Sequence, residues 1–170
     1  RSSIKNIRKY IDREKRIVKS NTGELTWDYG QGVVVLNTPC AQGAAGFLRR
    51  ADRISLKDID IESQNEYAVL LAVSLDGPPL SKAKEILLQV GTEEQFFGWA
   101  TSGHEIRDLG GLPINVRNTE ITVTFRKGKR FQEAVILDAN GHRKSTRKVT
   151  SSGSKLRLEL PADALYIILR

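Results

Sequence analysis

The chain of 170 residues has no methionine, a single cysteine at Cys40 and two histidines, His104 and His142. One thiol forms no intrachain disulfide and no multi-thiolate metal cluster, so the fold must be held by packing. The redox compartment stays open, because many exported proteins also lack disulfides. No apolar run approaches the roughly 20 residues that a membrane helix needs. The opening segment RSSIKNIRKY lacks the apolar centre of a secretion signal. With no initiator methionine, the chain is expected to be a piece of a longer polypeptide, any targeting signal lying upstream. What is present is ordinary for a folded domain: 39% hydrophobic and 28% charged residues, enough for one core. The formal net charge of +7 makes anionic partners worth testing.

The segment around which the rest is organised runs from Glu66 to Gly91. Tyr67 to Leu75 and Ile86 to Val90 are nearly continuous apolar runs, each reading as a buried strand. Asp76-Gly77-Pro78-Pro79 between them must turn, since each proline fixes φ and lacks an N–H. Strands apolar on both sides need a cover above and below, which two packed sheets would supply.

Before this centre, Ile4, Ile7, Tyr10 and Ile11 recur at spacings of three and four after Ser2 and Ser3, predicting an amphipathic helix over residues 2–15. We read residues 1–15 as a helical linker from an upstream domain and 16–170 as the β domain. From Arg16 the period becomes two. Ile17-Val18, Leu25 to Tyr29 and Val33 to Leu36 form a meander around turns at Asn21-Thr22-Gly23 and Gly30-Gln31-Gly32. Thr38 to Phe47 is uncharged and rich in small residues, a composition suited to close backbone approach. Ile54 to Ser63 alternates isoleucine and leucine with Lys57, Asp58, Asp60 and Glu62, predicting a half-exposed strand or a strand with a bulge near Asp58. Beyond the centre, Phe96, Phe97 and Trp99 lead into a glycine-rich connection. Strands are expected at 114–116, 120–125, 131–138, 143–150, 155–160 and 165–169, with Lys127-Gly128-Lys129 and Asn140-Gly141 at turns. Many short strands punctuated by turns predict an all-β antiparallel sandwich, Ig-like or jelly-roll-like, with a short N-terminal helix.

The segments Ser20-Asn21-Thr22-Gly23-Glu24-Leu25, Leu36-Asn37-Thr38-Pro39 and Gln42-Gly43-Ala44-Ala45-Gly46-Phe47 resemble a module of bacterial glycoside-hydrolase-type proteins in which a (β/α)₈ barrel is followed by a β-sandwich. The likeness continues through Ser74-Leu75-Asp76-Gly77, Ile86 to Gln89, Gly111-Leu112-Pro113 and Val135 to Gly141. It implies a non-catalytic accessory domain that braces an upstream barrel, carbohydrate binding as an added role, and an exported parent, periplasmic or extracellular. The acid and nucleophile carboxylates of such a protein belong to its barrel, so no catalytic residue carries over. Cys40 and Ala41 stand where the resemblance leads one to expect an arginine and a small hydroxyl residue.

Independent chemistry finds little support in the residues. Asp58, Asp60 and Glu62 alternate with isoleucines and share one face, whereas glycosidase carboxylates face each other across a bond. Cys40 reads as a small buried filler rather than a nucleophile, both histidines sit in turns, and nothing implies a metal or cofactor. The chain is therefore read as no enzyme. Three sets of contact residues remain. Trp99 and Trp27 are the candidates for stacking on sugar. Ile4, Ile7, Tyr10, Ile11 and Gln42 are the candidates for contact with the upstream barrel. Arg126, Lys127, Lys129 and Arg130, with Arg143 and Lys144, form basic hairpins for the alternative function, binding a nucleic acid or an acidic polysaccharide. Nucleic acid is the less favoured partner, because no stacking aromatics interleave these charges.

Overall fold

The computed structural model describes residues 7–170. Ile4, Ser2 and Ser3 lie outside the described residues. The predicted helix is a 3-10 turn over Ile7–Tyr10, after which the chain is already extended. A correction is therefore needed to the helical linker: the three- and four-residue apolar spacing serves a single tight turn and the strand behind it.

The chain is all-β and antiparallel. The first strands are β1 (Ile11–Asp12), β2 (Ile17–Lys19), β3 (Leu25–Asp28), β4 (Val33–Asn37) and β5 (Ala41–Gly46). Next come β6 (Arg53–Ser55), β7 (Ile59–Ser63), β8 (Ala68–Ser74) and β9 (Ile86–Thr92). A projecting ribbon holds β10 (Glu94–Phe97), β11 (Ala100–Ser102), β12 (Glu105–Asp108) and β13 (Gly111–Val116). The last five are β14 (Ile121–Phe125), β15 (Glu133–Leu137), β16 (Arg143–Lys148), β17 (Leu156–Glu159) and β18 (Tyr166–Leu169). Ten strands form one sheet in the order β1-β2-β3-β4-β5-β8-β9-β18-β15-β16, and four form another in the order β17-β14-β7-β6.

These two sheets share a single apolar core, a layering consistent with a β-sandwich. The large sheet contributes Ala44, Leu70, Ala72, Leu88, Val90, Ile136 and Ile167; the small sheet contributes Ile59, Ile61, Val123, Phe125 and Leu156. The central hairpin is β8 paired with β9 along seven residues, Ala68↔Thr92 to Ser74↔Ile86. The predicted single strand over 54–63 is instead the hairpin β6–β7. Leu56 donates its N–H to the Ile59 carbonyl and reverses the chain at Lys57-Asp58, so the expected bulge is a full turn.

The small-residue stretch 38–47 becomes strand β5, clamped between β4 and β8. Its glycines answer a steric demand. A Cβ on Gly43 would lie 2.2 Å from the Leu70 carbonyl oxygen, so any larger residue there would push β8 away.

Candidate functional site

Side chains directly opposite each other on neighbouring strands share a face, so the strand registers show what each sheet turns outward. On the four-stranded sheet the outward rows are Ser55–Asp60–Thr124–Arg157 and Arg53–Glu62–Thr122–Glu159. That face is polar and cross-paired: Arg53 reaches Asp60 at 2.8 Å and Glu62 at 3.6 Å, and Arg157 reaches Glu62 at 3.7 Å.

On the ten-stranded sheet the outward rows are of a different kind. One runs Ile11–Val18–Trp27–Val34–Ala45–Val69–Gly91. Beside it runs Leu25–Leu36–Gly43–Leu71–Gln89–Tyr166–Leu137. The next is Ala41–Val73–Leu87–Ile168–Val135–Thr146. The polar groups of these rows are Gln89, Thr146, the Tyr166 hydroxyl and Arg143, which pairs with Leu137 at the end of the second row. Leu25, Trp27, Val34 and Val69 stand exposed, with Trp27 at 50%. The central strands are apolar on both sides, as their sequence requires; on the outward side Leu36, Leu71, Val73, Leu87 and Ile168 are half-buried and Val135 is buried, so the barest part of this face lies over β3, β4 and the start of β8.

A second exposed apolar feature joins this face. Strands β10 and β13 pair, and β11 and β12 continue the same ribbon, making a hairpin arm from Glu93 to Arg117 that stands off the body. Every residue from Glu93 to Asn118 is exposed except half-buried Trp99. Phe97, Ile106, Leu109 and Leu112 are among the most exposed, Leu112 at 82%. A free two-stranded ribbon is marginally stable in water at best, and among the described residues nothing covers the apolar side chains of this one. Where the arm meets the sheet, Tyr67, Phe96, Trp99, Glu94, Asn115 and Arg117 line an open cleft of about 940 Å³.

The residues singled out from the sequence are scattered by this geometry. Trp27 lies on the apolar face, its ring 5.6 Å from that of Tyr29 and tilted by 59°, between Val18 and Val34. Trp99 lies in the cleft, where aromatic and polar groups converge. Ile7 is exposed in the 3-10 turn, Tyr10 is half-buried under the Lys9 ammonium, and Ile11 begins the first outward row.

Gln42 cannot serve as a contact with another domain through its side chain, which is fully buried within this one. Its Nε2 donates to the Asp58 carboxylate at 2.8 Å and to the Thr38 carbonyl at 3.2 Å, while its Oε1 accepts the Asp58 N–H at 2.9 Å. The reason is parity: Gln42 shares its inward row with Ala72, Leu88 and Ile167.

The basic hairpins are also partly spent. Arg126 holds Asp60, and Arg130 donates to the carbonyls of Leu80, Ala83 and Lys127 while its guanidinium covers the Phe131 ring. Lys144 pairs with Asp163. Lys127, Lys129 and Arg143 are exposed.

Asp60, expected on a solvated face, is 4% exposed beneath Arg53 and Arg126. Burial raises its pKa, but hydrogen bonds from Arg53, Ser55 and Arg126 outweigh that and hold it below the usual carboxylate range. Cys40, expected as a buried filler, is exposed and points its thiol at the Gly77 carbonyl. His142 sits in the β15–β16 turn beside Asp138, and His104 in the turn at the tip of the arm, so neither stands beside Cys40 as a base. Asp138 accepts the N–H groups of Asn140 and His142, which lowers its pKa and fixes that turn as a hairpin tip. Among the described residues no cluster of three or more His, Cys, Asp or Glu is placed to hold a metal ion, and no helix is long and apolar enough to cross a membrane.

No protein-family model, curated protein or solved structure matches this chain. Sequence reasoning missed the uncovered face. Its signal was the absence of alternation in β8 and β9, which announces a second cover without naming it.

Proposed function

We propose that this chain is a non-catalytic accessory β-sandwich domain of a glycoside-hydrolase-like protein, and that its ten-stranded sheet rests against the catalytic barrel. One observation carries the reading: the small sheet turns a charged, ion-paired face outward, whereas the large sheet turns outward three apolar rows reaching across most of its width. Monomeric proteins rarely leave a contiguous apolar patch of more than a few hundred Å² in water. The resemblance in segments 20–25, 36–39 and 42–47 supplies the kind of partner. The crossover from β5 through the small sheet to β8, and that from β9 to β18, fit a Greek key of Ig-like or jelly-roll type.

The test uses the polypeptide encoded ahead of this chain, produced with and without it. The barrel is expected to carry the glycosidase activity and to lose thermal stability when this domain is removed, while the 170-residue chain alone turns over no aryl glycoside. Leu71→Glu, placed mid-face, is expected to move the unfolding midpoint of the isolated chain by less than about 2 °C. The same substitution should reproduce most of the loss in the joined protein. An upstream segment without a pair of hydrolytic carboxylates would overturn the reading.

Carbohydrate contact is a second reading, favoured at one place. The cleft at the root of the arm combines Trp99, Tyr67 and Phe96 with the polar groups of Glu94, Asn115 and Arg117, the mixture of ring faces and hydrogen-bonding groups that sugar recognition uses. Trp27 lacks polar neighbours in its row. Titration calorimetry with soluble oligosaccharides is expected to show binding abolished by Trp99→Ala and unaffected by Trp27→Ala, and the reverse pattern would discard the cleft. The polyanion alternative is weaker, since Arg126, Arg130 and Lys144 are engaged within the domain.

A further inference from the structure

The arm carries charge of the opposite sign to the chain as a whole. Between Glu93 and Arg117 four acids, Glu93, Glu94, Glu105 and Asp108, stand against two arginines, Arg107 and Arg117, a balance of −2 in a chain of +7. Three of the four acids are occupied. Arg117 holds Glu93 at 2.7 Å, Arg107 holds Glu105 at 2.8 Å, and Asp108 accepts the Gly110 N–H at 2.8 Å. Glu94 alone has no partner among the described residues, and it lines the cleft at the root of the arm.

The rings that line the cleft with it are held in place from outside. Glu94 and Phe96 alternate with Gln95 and so share one side of the ribbon. The Tyr67 ring meets that of Phe47 edge-on at 5.7 Å, and the Phe47 face carries the Arg50 guanidinium at 4.2 Å, which in turn bonds Glu66. Trp99 is turned back by the register shift after Phe96. Its N–H donates to the Phe96 carbonyl at 3.2 Å across Gly98, whose φ is +81°. At about 940 Å³ the cleft lies toward the upper end of the range for small-ligand sites, about 300–1,000 Å³. Three rings and one unpartnered carboxylate line it, and the one cation among its lining residues, Arg117, is already committed to Glu93.

This set of groups states what it would hold. Aromatic ring faces attract a cation, and a carboxylate without a partner accepts that cation's N–H donors. An acidic ligand would meet Glu94 as a like charge. A quaternary ammonium would use the rings but has no N–H for Glu94. We infer that this cleft recognises amino sugars with a free primary ammonium group, the sugar ring stacking on Trp99 and the ammonium donating to Glu94. The inference deepens the carbohydrate reading of the cleft, on which it rests for the body of the ligand. The sign of the ligand's charge is read from Glu94, Arg117 and the rings alone.

The test is titration calorimetry of the 170-residue chain with tetrasaccharides of glucosamine, N-acetylglucosamine and glucose joined by the same linkage. The glucosamine compound is expected to bind about three- to tenfold more tightly than the other two, and added salt should shrink that difference. General attraction to a chain of +7 would favour anions, so a preference for the cationic sugar must arise locally. Glu94→Gln, a near-isosteric exchange at an exposed position, should remove the preference. Arg117→Gln releases Glu93 and should enlarge it, which gives a second variant of opposite sign. Unfolding midpoints establish that both variants are folded.

Equal affinity for the three compounds, or a preference that survives Glu94→Gln, would overturn the inference and leave the carbohydrate reading standing. A galacturonic acid tetrasaccharide that binds as tightly as the glucosamine compound would have the same effect. Butylammonium offers the cation without the sugar. Its binding as tightly as the glucosamine compound would remove the carbohydrate reading and the inference with it, and so would the failure of every saccharide to bind.

Discussion

Gly46→Ala is expected to lower the unfolding midpoint by roughly 10 °C or more, a loss of about 3–5 kcal/mol in a domain of this size. Gly46 ends β5 with φ at +127°, a conformation that a side chain strains. Space is refused as well: a Cβ there would lie 2.0 Å from the Gly32 carbonyl oxygen and 3.1 Å from the Val33 Cα. Both are backbone, so relief requires moving β4. The Gly32 carbonyl also accepts the Phe47 N–H, and Gly46 pairs with Val33 on one side and Ala68 on the other. Displacing β4 would therefore loosen the junction through which β1, β2 and β3 join the sheet. Gly91→Ala is the comparison. Gly91 lies in the same sheet without a positive φ, its nearest neighbour is the Val69 Cβ at 3.8 Å, and the substitution should be neutral or slightly stabilising. Thermal unfolding of both variants checks the pair, and equal midpoints would mean that β4 yields freely at Gly46.

Most of the strand plan was legible because alternation and turn chemistry coincide. Val33 to Leu36, Leu165 to Leu169 and the pair around Asp76-Gly77-Pro78-Pro79 fall where their patterns place them. Three features were not, each for a physical reason. Strand β5 hides its parity, because alanine and glycine suit either face. Only Gln42, sharing its side with Ala44 and lying between Ala41 and Gly43, marks the interior, and a polar residue there invites the opposite reading. The arm from Glu93 to Arg117 pairs only with itself, so no core imposes a period on it, and its glycines mimic a loop. The N-terminal spacing matched a helix, but four residues are too few to show that a helix continues. The site was legible only as a need: β8 and β9 lack a polar side, which requires a second cover.

Gln42→Glu should make stability rise as the solution is acidified, the opposite of the parent chain. In the parent, Asp60 has a pKa depressed below its unfolded value, so its contribution is present above the unfolded pKa, near 4, and is lost as pH falls through the folded value. Placing a carboxylate at position 42 would replace the Nε2 donor, which now lies 2.8 Å from the Asp58 carboxylate, with a second acceptor. Two carboxylates at that distance in a buried site cannot both ionise cheaply, so one pKa is pushed up and the pair shares a proton. A raised folded pKa contributes stability that is present at low pH and lost as pH rises through it, which gives the reversed slope. At neutral pH the variant should be destabilised by about 2–4 kcal/mol, since a buried donor has been exchanged for an unpaired charge. Gln42→Leu separates charge from hydrogen bonding. It leaves the Asp58 N–H without its 2.9 Å acceptor, costs about 1–3 kcal/mol, and should show the parent's slope. Unfolding midpoints between about pH 2 and 8, a range that includes the loss of the Asp60 contribution below about pH 4, decide the matter. Parallel profiles for the glutamate variant and the parent would mean that water reaches the Gln42–Asp58 clamp, and that β5 and the β6–β7 turn are not locked together through it.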